Sequence, residues 1–483
     1  MLVSLVAIAV GTYIYILVLV PTQIDDAFIT LTYVRTLGQD GTWGMFPDRV
    51  ANTATSPLNV LLTAAVGTIS RSAPRAGALL TTIELIALLA CLRRVSHTVF
   101  GNSYFGLFAF AGLATNPLLV STLGLEGFLF TTLFVASILC WLTRQWWFLG
   151  VSVGLLTLAR PDGALLFLIL FAVGPRGLRP RAALALAYAL TLLPWSLYSW
   201  IALGSLVPDT LVIKTAQRTW GTRGFVDGLL MYSRAFPLAT LGSFLPVMGA
   251  VGFAYGVKGP VRPLLVVLLG YGALYFASYA LLGVPPYHWY YVQIVVPCVL
   301  LGALGAASWI NRFPRVSGPP LQWLVYPTAA LPALALVVIL SRDGVPPREA
   351  PIHTNWASPA QYRTIGEWLH EHVEPSSSIR LQAEIGTLAY YSERYLVNNF
   401  SDQGETEPVV ERWRRSGRVW VRWLATVNYY WRRSPPAVQP AYVLLQKRAG
   451  EAPPPAARIL KQWDTASRWT TSTIYLLRGG DLP

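Results

Sequence analysis

Asp25 and Asp26 stand side by side directly behind a hydrophobic run that ends at Val20. Adjacent like charges repel and burial disfavours an ionised carboxylate, so one of the two could act as a proton acceptor. Ionisable groups at membrane depth are usually functional. The plainer role is capping: Asp is a good N-cap, and 27–37 could form an amphipathic helix. The two roles are compatible, with one carboxylate capping and the other reacting. Four further clusters carry polar chemistry. Glu126 sits in Gly124-Leu-Glu126-Gly127, and Arg160 and Asp162 form Arg-Pro-Asp-Gly. The latter could equally be a turn between two half-length helices. Lys214 follows Pro208-Asp209-Thr210 and is one of only four lysines among 37 basic residues. A lone ammonium there could hold a lipid phosphate as a point charge, or simply snorkel to the headgroups. His288 lies in Tyr287-His288-Trp289. Its imidazole could bind a phosphate or a sugar hydroxyl, although an aromatic belt is the default reading of such a run.

These residues need a scaffold, and composition specifies it. The 483-residue chain is 54% hydrophobic and 12% charged, against about 25% charged in soluble domains. It is an integral membrane protein with many spans. The net charge of +14 comes from basic residues that punctuate hydrophobic runs rather than forming one patch. Nucleic acid is therefore excluded as a partner, and cytoplasmic loops and anionic lipids account for the surplus. Cys91, Cys140 and Cys298 each lie in an apolar run, which argues against a disulfide framework or a metal site. Residues 1–20 lack a basic leader and a small-residue cleavage site, so they read as a retained signal anchor.

Runs long enough to span lie near 2–20, 76–92, 104–122, 125–142, 182–201, 236–257, 262–283, 289–310 and 322–341, with a shorter pair at 146–159 and 164–174. That makes eleven candidates. Residues 57–70 look re-entrant or interfacial. Basic residues fall at every second connection: Arg93 and Arg94, Arg144, Arg176 to Arg181, Lys258 with Arg262, and Arg312 with Arg315. The positive-inside rule makes these loops and the N-terminus cytoplasmic. Asp25, Asp26, Glu126, Arg160, Asp162, Lys214, His288 and everything after 341 then face outside. Glu84 lies within a span and is expected to pair with a polar neighbour. The expected fold is an all-α polytopic transmembrane bundle over 1–341, followed by a small extracytoplasmic α/β domain over 342–483. In that domain 359–373 has helical spacing, and 378–383, 395–398, 441–446 and 471–477 read as strands.

The order of motifs is similar to that of GT-C superfamily membrane glycosyltransferases. A first span ending in Asp25-Asp26 is followed by Tyr33-Val-Arg35 and Thr55-Ser56-Pro57-Leu58. Gly-Leu-Glu126, Arg160-Pro-Asp162-Gly and Pro208-Asp209-Thr210 with Lys214 extend the match, and Gly386-Thr-Leu-Ala-Tyr390 and Tyr395-Leu-Val-Asn398 complete it. The order resembles that of actinobacterial cell-wall arabinofuranosyltransferases, with Asp209 standing where relatives often carry Asn. The resemblance implies a plasma-membrane enzyme whose sugar donor is a polyprenyl-phosphate-linked arabinofuranose. The sugar would pass to a cell-wall polysaccharide acceptor at the outer face. One of Asp25 and Asp26 would be the base. Lys214, Arg160 and His288 would meet the donor phosphate, and Arg35, Glu126, Asp162, Asp209, Tyr287 and Trp289 would bind substrate. No cofactor is firmly expected. Two carboxylates with nearby oxygens could hold a divalent cation, although nothing has metal-ligand spacing. The competing classes are a transporter of a lipid-linked glycan and a non-catalytic cell-wall assembly protein. A transporter would use the same charged cavity but needs a polar route across the membrane, whereas the charges here concentrate on one face and no paired interrupted helices stand out in two halves. An assembly protein has no need of a carboxylate pair at a span's edge.

Overall fold

The computed structural model describes residues 2–70, 72–255, 259, 261–312, 320–342, 344, 347–433, 436 and 438–479. Arg71, Lys258 and Arg315 lie outside the described residues. The chain is mostly helical, with one sheet near its C-terminus. Four helices are long and apolar enough to cross a membrane: Ala73–Phe100, Leu178–Ala202, Val261–Leu282 and His288–Ile310. Two bent pairs raise the number to six. The remaining apolar helices are short. Gly127–Leu142 has 16 residues, which at about 1.5 Å per residue falls short of a hydrocarbon core of about 30 Å. The expected eleven spans are therefore not reached on length among the described residues.

Two expected spans break for local reasons. The 104–122 run stops as a helix at Ala114 because Asn116 caps a new turn, with its side chain accepting from the N–H groups of Leu118 and Leu119 ahead of Pro117. The 236–257 run divides into an α-helix, Pro237–Phe244, and a 3-10 stretch, Leu245–Tyr255. This stretch packs on the helix Val292–Ile310 through Gly302, where an added Cβ would stand 1.9 Å from the Pro246 carbonyl oxygen. Only glycine allows that approach.

The chain forms two compact units. The bundle unit comprises Met1–Val20, Ala78–Leu192 and Thr219–Ile352. The sheet unit comprises Pro21–Gly77, Leu193–Arg218 and His353–Pro483. In the sheet unit, β1 (Ser378–Gln382), β2 (Tyr395–Val397), β3 (Tyr442–Arg448), β4 (Ile459–Ala466) and β5 (Thr471–Arg478) form one mixed sheet in the order β2-β1-β3-β5-β4. β2, β1 and β3 are parallel, while β3, β5 and β4 are antiparallel. Four of these strands match the expected ones. β4 was not expected, because as an exposed edge strand it carries polar residues where alternation would show burial. The expected helix at 359–373 is Pro359–His372, whose capping box pairs Ser358 with Gln361. Its buried face (Tyr362, Ile365, Leu369) packs with Ile379, Leu396, Leu444 and Ile474 of the sheet and with Tyr33 and Trp43. Each such side chain stabilises by about 1.5–3 kcal/mol.

Candidate functional site

The Asp pair begins the helix Asp25–Asp40 of the sheet unit. Its two members differ sharply: Asp25 is buried and Asp26 is half-exposed. Asp25 Oδ2 accepts from the Gly386 N–H at 2.8 Å, and Oδ1 accepts from the Thr387 N–H at 2.7 Å. Both donors belong to the first turn of the helix Gly386–Ser392, where a carboxylate satisfies orphan N–H groups and complements the helix dipole. The contact requires glycine, since a Cβ at Gly386 would lie 1.8 Å from the Asp25 carbonyl oxygen.

Arg35 holds the other end of the same short helix. Its Nη1 donates to the Tyr390 carbonyl at 2.6 Å and to Glu393 Oε1 at 3.1 Å, and its Nη2 donates to the Ala389 carbonyl at 3.4 Å. Asp25 and Arg35 thus clamp Gly386–Ser392 with a negative charge at its N-terminus and a positive charge at its C-terminus. Arg35, expected to bind substrate, is committed to this clamp.

A third carboxylate joins the first two. Glu384 Oε2 accepts from the Tyr362 hydroxyl at 2.6 Å and the Trp356 N–H at 2.9 Å, and Oε1 accepts from Asn355 Nδ2 at 3.4 Å. Burial pushes its carboxyl well above the usual range, and the charges of Asp25 and Asp26 push it further. The Tyr362 and Trp356 donors only partly offset this. Sequence reasoning missed Glu384. The one available signal was its place two residues ahead of the Gly386-Thr387 motif.

Asp209 and Lys214 are also in the sheet unit. Asp209 is buried and accepts twice from Arg432 Nη1, at 3.0 and 2.9 Å. Arg432 Nε in turn donates to Glu407 at 2.9 Å. Asp209 is a latch rather than a free ligand, and Arg432 was not anticipated because it lies 223 residues away. Lys214 is buried, with Nζ 4.9 Å from the Phe400 ring centre.

The bundle unit holds the other predicted residues. Arg160 is buried and donates to Glu126 Oε1 at 2.6 Å, to Asp162 Oδ2 at 3.0 Å through both Nε and Nη2, and to the Tyr279 hydroxyl at 3.0 Å. Glu126, Arg160 and Asp162 were each expected on the same face, and they come together as one ion-paired cluster. Tyr271, Tyr275 and Tyr279 stack along the helix Val261–Leu282, and Tyr279 also donates to Asp162 at 2.9 Å. The four-residue spacing of these tyrosines was the overlooked signal. His288 is buried, with Nε2 3.4 Å from the Ser121 carbonyl oxygen and its ring edge-on to Tyr232 and Trp289. Tyr287 stacks on Trp289 at 4.4 Å. Glu84 is buried in the helix Ala73–Phe100, where its backbone carbonyl accepts from the Thr132 hydroxyl at 3.0 Å, while its side-chain Oε1 has no hydrogen-bond partner among the described residues.

No protein-family model and no curated protein matches the sequence. Solved structures do match. ArnT from Cupriavidus metallidurans, in a crystal structure bound to undecaprenyl phosphate, is 15% identical, with a TM-score of 0.60 over 98% of this chain and 97% of that one. The oligosaccharyltransferase of Archaeoglobus fulgidus in its apo form is 12% identical, with a TM-score of 0.50 over 91% of this chain and 69% of that one. The mycobacterial arabinofuranosyltransferase AftD gives 18% identity and a TM-score of 0.42 over 77% of this chain and 29% of that one, too distant to carry a donor sugar. At these identities the likeness is one of architecture: the chain shares its fold with ArnT and with the archaeal oligosaccharyltransferase.

Proposed function

We propose that the protein is a glycosyltransferase that moves a sugar from a polyprenyl-phosphate carrier to a glycan hydroxyl at the outer face of the plasma membrane. The observation that carries this reading is the division of labour within the Asp pair. Asp25 spends both oxygens on backbone N–H groups, whereas Asp26 is half-exposed beside it. In this proposal Asp26 is the base that takes the proton from the attacking hydroxyl, and Asp25 is the positioning residue that fixes the turn. The departing phosphate needs a cation, and Lys214 is assigned that part. Arg160 and His288 are both enclosed, so a phosphate could reach them only by displacing Asp162 or the Ser121 carbonyl. They form the second tier of the assignment. Tyr287 and Trp289 supply stacked rings suited to a sugar or a lipid.

The finer features belong to the same proposal: arabinofuranose as the sugar, a cell-wall polysaccharide as acceptor, eleven spans, a cytoplasmic N-terminus, and an extracytoplasmic domain over 342–483. Support comes from the motif order and from the fold shared with ArnT, whose structure holds undecaprenyl phosphate. The test is transfer of radiolabelled sugar from a panel of polyprenyl-phosphate donors by purified protein, with Asp26→Asn and Asp25→Asn beside the parent chain. Transfer by the parent that Asp26→Asn abolishes without unfolding supports the reading and names the donor. Absence of turnover with every donor, alongside movement of a lipid-linked glycan across a vesicle membrane, would replace it with a transporter.

A further inference from the structure

The helix Val419–Asn428 turns a strongly apolar face away from the protein. Trp420 is 61% exposed, Trp423 64% and Leu424 48%, and Trp431 continues the row at 48%. The spacing of three and four residues places Trp420, Trp423 and Leu424 on one side of the helix, and Trp431 follows in the turn beyond its end. Ala425 and Tyr429 lie on the opposite side, buried with Val410 and Val212 in a small core. Arg418 at the helix start and Arg422 one turn on are exposed and supply the polar side of the same helix. Large exposed aromatics beside arginines describe an in-plane interfacial helix.

A second observation gives the depth. The same segment is tied to the end of the helix Leu178–Ala202, one of the four long enough to span. Trp200 Nε1 donates to the Val427 carbonyl at 2.8 Å, and its ring meets those of Tyr430 and Trp431 at 6.3 and 6.5 Å. Just beyond, the Leu206 N–H donates to the Asn428 carbonyl at 3.2 Å, and the Val207 N–H to Asn428 Oδ1 at 2.7 Å. Aromatic rings collect at the level where spanning helices leave the hydrocarbon. A helix pinned to that level has the headgroups beside it.

We infer that Val419–Asn428 is a membrane-surface anchor that seats Trp420, Trp423, Leu424 and Trp431 in the headgroup region, with Arg418 and Arg422 drawn to anionic phospholipid. Seating would fix the sheet unit against the bilayer through a segment remote in sequence from every expected span.

The experiment uses the full chain in nanodiscs of phosphatidylcholine and phosphatidylglycerol. Bimane is attached at Trp423→Cys, and separately at Trp420→Cys so that the reading does not depend on one variant folding. Signals are corrected for the parent chain with its native Cys91, Cys140 and Cys298. The expected result is strong quenching by brominated phospholipid and shielding from aqueous iodide. Lipid quenching should fall several-fold when Arg418→Glu and Arg422→Glu are combined, or when the phosphatidylglycerol is omitted. Free access to iodide with no lipid quenching at either position would overturn the inference. So would shielding that arises only when a polysaccharide is added, which would make the face a glycan platform. Shielding that grows only with protein density would make it a contact between copies and would likewise overturn it.

Discussion

The molecule buries charge in two places and handles it in opposite ways. In the bundle unit one guanidinium, Arg160, faces two carboxylates, Glu126 and Asp162, with Tyr279 closing the ring. Each carboxylate is paired directly with the same cation, and every partner is a side chain at or near a helix end. In the sheet unit three carboxylates, Asp25, Asp26 and Glu384, gather with mutual repulsion. The hydrogen bonds around Asp25 and Glu384 come from backbone N–H groups, a tyrosine hydroxyl and a side-chain amide. A buried cluster in which every carboxylate has a cationic partner can hold a frame. A cluster of like charges stays protonatable, and protonation is what a base needs. On the proposed function, the first cluster frames and the second does the chemistry.

The strongest way to break this contrast is to change Asp26. Asp26→Asn should lower transfer by about 10²–10⁴-fold while leaving the melting temperature nearly unchanged, because general-base removal costs rate rather than packing. Steady-state rates and thermal unfolding in detergent give the two readings. A variant that melts early but turns over normally would reverse the assignment. Arg160→Met should do the opposite. It leaves Glu126 and Asp162 buried without their cation, a loss of about 3–5 kcal/mol in stability, read as a large drop in melting temperature. If Arg160→Met melts like the parent, the cluster is not a frame.

Gly386→Ala comes next. The new methyl meets the Asp25 carbonyl, so the short helix must withdraw and the two N–H bonds to Asp25 must open. Overpacking of this kind costs about 1–3 kcal/mol. The expected signature is loss of both stability and transfer, with Asp26→Asn adding little further loss of rate.

What the sequence made legible, and what it hid, follows from chain separation. The Asp pair at a span's edge, four of the five strands and the capped helix Pro359–His372 all carry local signals: a charge beside an apolar run, alternation, a Ser-x-x-Gln box. The partners were invisible. Asp25 reaches Gly386 across 361 residues, and Arg35 reaches Tyr390 across 355. No spacing rule links such positions, so the contacts of Arg35 with Tyr390 and Glu393 and of Asp209 with Arg432 were not legible. The compact sheet unit has the same origin, since it draws on three separate stretches of chain. Glu384 escaped because a lone Glu after a short strand looks like a solvated surface residue. Only the fold sets it beside two other carboxylates.

The smallest expected effect tests that carboxylate directly. Folded, Glu384 holds its proton more tightly than it does in the unfolded chain, because burial and the neighbouring aspartates both oppose its charge. The folded state then binds more protons than the unfolded state at pH values above the ordinary carboxylate range, so linkage makes stability fall as pH rises through that window. The contribution is fully present below about pH 4, where both states are protonated. It is lost progressively on the way up to the folded-state value. Glu384→Gln keeps an acceptor for the Tyr362 hydroxyl and the Trp356 N–H but cannot ionise. Its melting temperature should match the parent's in acid and exceed it by a few degrees at alkaline pH, so that the two curves diverge as pH increases. Parallel curves would show that Glu384 does not carry the acidic cluster's tension, and the contrast with the ion-paired Arg160 cluster would then rest on Asp25 and Asp26 alone.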